Sequence, residues 1–202
     1  AKSAHDMNRE HRVLSVLHQS LPVAPQAFLY CEDTAVVGAD FFVMERRHGT
    51  VVRTEIPDNY AGMPDATRRM SQALIDTLAD FHAVDYESIG LETLGRPDGF
   101  VERQIEGWYQ RWQAAKHEEL PLMDELYQWL KANQPTSSAS TLVHNDYKLD
   151  NVMLDSHDPG HLVAVFDWDM CTLGDPLCDL GALLCYWTEP TDPDFYREAS
   201  MM

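Results

Sequence analysis

The sequence predicts an α+β fold with a mostly helical C-terminal lobe and a partial N-terminal lobe, and three observations carry that reading. Residues 141–170, TLVHNDYKLDNVMLDSHDPGHLVAVFDWDM, hold strand-like apolar runs that end in polar side chains. Residues 65–84 repeat apolar side chains at helical spacing, and residues 28–31 and 41–44 are short β-rich runs. A chain of 202 residues with 45% hydrophobic and 10% aromatic content has ample material for a core. The expected division is residues 1–48 for the partial lobe and 49–202 for the helical one.

Residues 1–20 predict a helix: Met7, Val13, Leu14 and Leu17 fall near helical spacing, and Ser3 or Asp6 could cap its start. Pro22 and Pro25 break it, and strands at 28–31 and 41–44 follow, with Glu32-Asp33 as the turn between them. Read alone, FFVMERR is an edge strand running into a turn at Gly49. The helix at 65–84 is expected to be capped by Asp65 and to face inward with Met70, Leu74, Ile75, Leu78, Phe81 and His82, the last as a face residue rather than a base. LGRPDG at 94–99 is a loop. Residues 100–116 and 123–133 predict two helices joined near Pro121, with aromatic residues Trp108, Tyr109, Trp112, Tyr127 and Trp129. Such a stripe reads first as core packing. PTSSAS at 135–140 is a flexible lead into the next strand; later, 173–176 reads as a turn, 177–187 as an apolar helix, and TEPTDPDF ends that helix.

The chemistry concentrates in residues 141–170. The run 141–143 opens into His144, Asp146, Lys148 and Asn151, and 152–154 continues as a strand. Residues 161–166 lead to Asp167-Trp168-Asp169, and SHDPG at 156–160 supplies the reversal, so a hairpin brings Asn151 and Asp167 to one end. Phosphoryl transfer needs an aligned hydroxyl, neutralised phosphates and hard oxygen ligands for Mg²⁺. Asp146 fits the carboxylate beside the nucleophile, Asn151 and Asp167 fit the metal ligands, and Lys148 is a mobile charge for the transferring group. His144 is read as bracing the loop.

HNDYKLDN has the spacing of a protein-kinase catalytic loop, and FDWD stands where kinases carry Asp-Phe-Gly. With CTLGDPLCDLGALLCYW after it, the chain resembles the aminoglycoside phosphotransferase family, in the wider choline-kinase-like superfamily. The likeness is to the branch found alone in bacteria and fused to acyl-CoA dehydrogenases in animals. Asn145 stands where that family has Gly, and Asp169 where it has Glu; Asn tolerates a positive φ better than most residues. The resemblance implies a protein-kinase-like fold, ATP and Mg²⁺ as cofactors, and a small-molecule hydroxyl as acceptor. It sets Glu10 in place of the αC glutamate, whose partner is a strand lysine, although Glu10 alone reads as an exposed carboxylate. It makes residues 41–47 a hinge, with the Glu45 carbonyl and Arg47 amide toward the adenine edge and Met44 behind. Asp179 resembles the buried aspartate that holds the catalytic loop, and Asp175 is expected to orient the same region. The aromatic stripe gains a second reading as a wall of the acceptor pocket. Family members carry strands before the first helix, among them the lysine strand and a glycine-rich loop, and helices after residue 187, so a fragment of the fold is expected.

The 15 Lys and Arg against 33 Asp and Glu give a net charge of −18, which opposes binding to nucleic acid or an anionic membrane and is compatible with a cationic substrate. Acidic surfaces also serve solubility alone. Cys31, Cys171, Cys178 and Cys185 show no C-x-x-C spacing, and no apolar run is long enough to span a bilayer, so a cytoplasmic protein is expected. Two function classes remain: a small-molecule kinase, and a kinase-fold module that binds without transfer. A protein kinase is disfavoured because GDPLCDL replaces an activation segment ending in Ala-Pro-Glu.

Overall fold

The computed structural model describes residues 7–53, 55–137 and 139–199. Helix α1 (Met7–Leu17) buries Val13, Leu14 and Leu17, which share one helical face, together with Glu10. The expected capping residues Ser3 and Asp6 lie outside the described residues. Strand β1 (Ala27–Cys31) pairs antiparallel with β2 (Phe41–Met44), Ala27 opposite Met44 and Cys31 opposite Phe41. Their connection is more than the turn expected at 32–33. Asp33 accepts a hydrogen bond from Ala35 N at 2.9 Å and starts a single-turn helix, α2 (Thr34–Val37), which Gly38 closes at φ 94°.

Gly49 carries the chain from β2 against strand β4 (Val152–Asp155), where a Cβ would run into the Leu154 carbonyl. Thr50 and Leu154 then exchange backbone hydrogen bonds of 2.8 and 2.9 Å, which ties this segment to the hairpin that carries Asn151. Helix α3 (Ala66–His82) turns Met70, Leu74, Leu78 and Phe81 inward. Ile75, expected on that face, is 38% exposed, because the buried stripe is narrower than the apolar sequence pattern. Asp65 does not cap α3 through its side chain: its φ of 55° is left-handed, and its carboxylate pairs with Arg68 at 3.1 Å.

Helices α4 (Phe100–Ala115) and α5 (Pro121–Ala132) pack on each other. Tyr109 stacks on Tyr127 with centroids 3.8 Å apart, while Tyr109 Oη donates to Asp124 and Tyr127 Oη to Glu106. The aromatic stripe is not core. Phe100 is the buried residue of α4, none of α5 is buried among the described residues, and Trp108 and Trp129 are each 60% exposed. Trp108, Trp112, Ile105, Leu126 and Leu130 instead line an apolar groove of 610 Å³. Phe100 anchors the pair by lying on Gly174, where a Cβ would come within 2.8 Å of its ring.

Three two-stranded sheets are present among the described residues. Strand β3 (Thr141–Val143) pairs antiparallel with β6 (Thr172–Gly174), so part of the stretch read as a turn at 173–176 is strand. Strand β4 pairs with β5 (Asp158–Val165), and Asp155 faces Asp158 across a reversal at Ser156-His157, shorter than expected. Helix α6 (Pro176–Tyr186) opens with Asp175 as its cap, accepting from Leu177 N at 2.9 Å, and has Pro176 at its first position. After α6 comes a short helix, α7 (Asp194–Ala199). One hydrophobic core joins α1 to Leu74, Phe81, Leu142, Val152, Val165 and Trp168, the last packed edge-on to Phe81 at 5.1 Å. Among the described residues no helix is long and apolar enough to cross a membrane.

The close seating of Phe100 on Gly174 gives a test of packing. Gly174→Ala should destabilise the chain by about 1–3 kcal/mol through overpacking. Combining it with Phe100→Leu should restore part of that loss, and urea denaturation of the two singles and the double measures the coupling.

Candidate functional site

The site is built from the inside outward, starting at Asp179. This carboxylate is fully buried in the first turn of α6, and both of its oxygens are occupied. Oδ2 accepts from His144 N at 2.7 Å and from His82 Nε2 at 3.0 Å; Oδ1 accepts from Asn145 N at 2.7 Å. Two successive amides of the loop after β3 are thereby aimed at one charge, the arrangement that satisfies a buried carboxylate. Asn145 itself sits at φ 65°, in the left-handed region that Asn tolerates better than most residues, and its Nδ2 donates to Met170 O at 2.9 Å.

His144 lies fully buried next to that carboxylate. Its Nε2 contacts Phe166 O at 2.9 Å, and its Nδ1 receives Asp146 N at 3.3 Å, a pairing that places the ring proton on Nε2. Burial pushes its pKa below the ordinary histidine value, so the ring stays neutral and spans the loop and the end of β5. This is the bracing role its position in the sequence suggests.

The loop delivers a polar cluster. Asp146 Oδ2 accepts from Asn151 Nδ2 at 2.9 Å and from Lys148 Nζ at 3.0 Å, while Oδ1 faces the hydroxyl of Tyr186 at 3.4 Å. Asn151 Nδ2 also donates to Asp146 O at 2.9 Å, which fixes the amide and leaves its acceptor, Oδ1, outside these two bonds. Burial lowers the affinity of Lys148 for its proton, but the hydrogen bond and charge of Asp146 outweigh it and raise the pKa. Phe166 N donates to Asn151 O at 2.8 Å, so the hairpin sets Asp167 beside Asn151. Asp167 is left-handed at φ 66°. Its pKa is raised by burial first, then by the charges of Asp169 and Asp146.

The structure thus gathers Asp146, Lys148, Asn151 and Asp167 at one end of the hairpin. Glu10 reaches the same segment from α1, with Oε1 accepting from Trp168 N at 3.3 Å. Met44, Glu45 and Arg47 lie where the chain leaves β2, and the contacts of Glu45 and Arg47 run to Gln26, Pro22 and β5 rather than to the cluster around Asp146. Met44 is 38% exposed; Glu45 N donates to Gln26 O at 2.8 Å, which leaves the Glu45 carbonyl outside that pair. The Arg47 guanidinium binds the Glu45 carboxylate at 2.8 Å, Pro22 O at 3.0 Å and Val163 O of β5 at 3.3 Å. His82 and Tyr186 are contributors that the sequence reading did not assign to the site. The signal for Tyr186 was its spacing: it stands seven residues after Asp179, with buried Leu183 between them, so all three share a face of α6.

Among the described residues no group of three or more His, Cys, Asp or Glu could hold a metal ion. Asn151 and Asp167 offer one carboxamide and one carboxylate oxygen, a sparse hard-oxygen set. That suits Mg²⁺, which keeps several waters, and the crowding of Asp167 by Asp169 and Asp146 gives a cation an electrostatic reason to be there.

Residues 1–200 match the family model described as "Phosphotransferase enzyme family". The chain is 32% identical over 203 residues to acyl-CoA dehydrogenase family member 11 of Gallus gallus, covering 98% of this chain and 25% of that protein. It therefore spans about a quarter of the length of that curated relative. Among solved structures, a protein of Ralstonia eutropha described as a candidate aminoglycoside phosphotransferase superposes with a TM-score of 0.80 at 34% identity, covering 92% of this chain and 56% of that one. A thermostable mutant of aminoglycoside phosphotransferase APH(4)-Ia, solved with ADP and hygromycin B, shares the fold at a TM-score of 0.63 and 18% identity, over 91% of this chain and 62% of its own.

Two measurements follow from the loop geometry. Asp179→Ala leaves two loop amides and His82 without their acceptor, and should cost about 3 kcal/mol or more in urea denaturation, with Asp179→Asn in between. Because the folded state holds His144 neutral and the unfolded state protonates it near pH 6.5, its contribution is present above that pH and is lost as pH falls toward the lowered folded value. The stability advantage of wild type over His144→Gln should therefore shrink between pH 7 and pH 5.

Proposed function

The chain belongs to the phosphotransferase enzyme family, and on that premise we propose that it is an ATP-dependent kinase that moves the γ-phosphate to a hydroxyl of a small molecule, with Mg²⁺. The observation that carries this reading is the carboxylate of Asp146, clamped on Oδ2 by Asn151 and Lys148 at the end of a loop whose backbone is fixed by Asp179.

In this mechanism Asp146 receives the acceptor hydroxyl through Oδ1 and takes its proton as the new bond to phosphorus forms. Lys148 leaves Asp146 Oδ2 to donate to the γ-phosphoryl oxygens, a transfer of a few ångströms for a flexible ammonium. Asn151 Oδ1 and Asp167 would hold Mg²⁺, which when bound supplies charge neutralisation of the phosphates. Glu10, whose carboxylate accepts from the Trp168 amide beside Asp167, takes the position of the glutamate that pairs with a strand lysine in kinases. Residues 44–47 meet the adenine edge through the Glu45 carbonyl and the Arg47 amide, with Met44 behind. Catalysis on this scheme is positioning plus electrostatics, with no covalent intermediate on the protein.

The division at residues 48 and 49 belongs to the same proposal, since the adenine wall and the phosphate loop then come from the two lobes. The net charge of −18 argues for a neutral or cationic acceptor and against nucleic acid or an anionic membrane surface. The four cysteines are free thiols, which fits a reducing cytoplasm.

Release of ADP from Mg-ATP, measured against a panel of neutral and cationic hydroxylated small molecules, tests the proposal. Asp146→Ala should lower turnover about 100-fold or more while nucleotide affinity by calorimetry stays near wild type. Asp167→Ala should instead weaken Mg-ATP binding about 10-fold or more. Full turnover in Asp146→Ala would refute the assignment, and nucleotide binding without transfer to any acceptor would make the chain a binding module.

A further inference from the structure

Tyr186 touches both working side chains of the catalytic loop. Its hydroxyl lies 3.4 Å from Asp146 Oδ1, and its ring face carries Lys148 Nζ at 5.3 Å from the centroid. Asn151 and Lys148 both contact Asp146 through Oδ2, so the tyrosine addresses the oxygen that those two leave. A separation of 3.4 Å is the long end of a hydrogen bond, and contacts at catalytic sites are often this long before substrates fill them.

The placement follows from α6. Asp179, Leu183 and Tyr186 stand on one face of the helix, so the element that grips the loop amides at its first turn reaches the loop's side chains at its last. Burial, and then the charge of Asp146, raise the pKa of the phenol, which keeps it protonated and able to donate. An ammonium over a partly buried aromatic face is also a recognised attraction.

We infer that Tyr186 is a positioning residue for phosphoryl transfer: its hydroxyl sets the rotamer of Asp146 so that Oδ1 meets the incoming acceptor, and its ring keeps Lys148 on the same side. The inference rests on the kinase reading. No bond to Tyr186 forms or breaks. The acceptor oxygen bonds to the γ-phosphorus, the bond from that phosphorus to the β,γ-bridging oxygen breaks to leave ADP, and the acceptor proton passes to Asp146.

The test uses Tyr186→Phe and Tyr186→Leu in the full chain, with Mg-ATP alone as substrate and water as acceptor. Tyr186→Phe should lower kcat about fivefold, with KM for Mg-ATP and the thermal midpoint unchanged, a split that lost stability would not produce. Tyr186→Leu should lower kcat further. It should also raise the labelling of Lys148 by an amine-reactive reagent about threefold, read by mass spectrometry against Lys131. Unchanged kcat in the Phe variant overturns the hydroxyl's role, and unchanged labelling in the Leu variant overturns the ring's. If wild type transfers phosphate neither to water nor to any acceptor of the hydroxylated panel while the Leu variant still bares Lys148, the kinase reading falls and the tyrosine's hold on the loop stands without it.

Discussion

A carboxylate with no access to water is costly unless each of its lone pairs meets a donor, and Asp179 meets three: two consecutive loop amides and the imidazole of His82. The loop that carries Asp146 cannot shift without stranding that charge, so α3, α6 and β3 are held in one arrangement. His144 extends the constraint to Phe166 and Asn145 extends it to Met170, on either side of Asp167. Rigidity at the base of the loop is what lets its polar tips hold a defined geometry.

Those tips are electrostatically unbalanced. Asp146 is compensated by Lys148 and Asn151, but Asp167 has Asp169 and Asp146 as its charged neighbours and is partly buried. In a protein of net charge −18 this local excess of negative potential is not relieved by the surroundings. A cation there would relieve that repulsion, and the left-handed backbone at Asp167 adds a second local cost at the same residue.

The phosphotransferase fold and the hairpin were legible because they are written locally. Strand runs separated by turn residues set the pairing of β4 with β5, and the His-Asp-Lys-Asn spacing predicted the loop. Asn145 was readable as a residue able to adopt a positive φ, and it does. What stayed hidden depends on distant partners. Nothing near residues 172–174 says that they pair with β3, and the aromatic stripe of α4 and α5 has the pattern of a core yet stays largely uncovered among the described residues. Ile75 shows the same limit within a single helix: apolar spacing defines a face, but the width of that face is decided by what packs on it. Tyr186 was passed over as one more apolar position, although its phase with Asp179 pointed toward the loop.

The five tryptophans span the range from core to solvent, with Trp112 and Trp187 half-buried between the extremes. Trp168 is sealed in the core against Phe81 and His144, whereas Trp108 and Trp129 stand mostly in solvent on α4 and α5. A sealed indole such as Trp168 should report loss of the folded core, whereas Trp108 and Trp129 should be open to small quenchers. Quencher access therefore distinguishes the two-helix surface from the interior within one unlabelled sample.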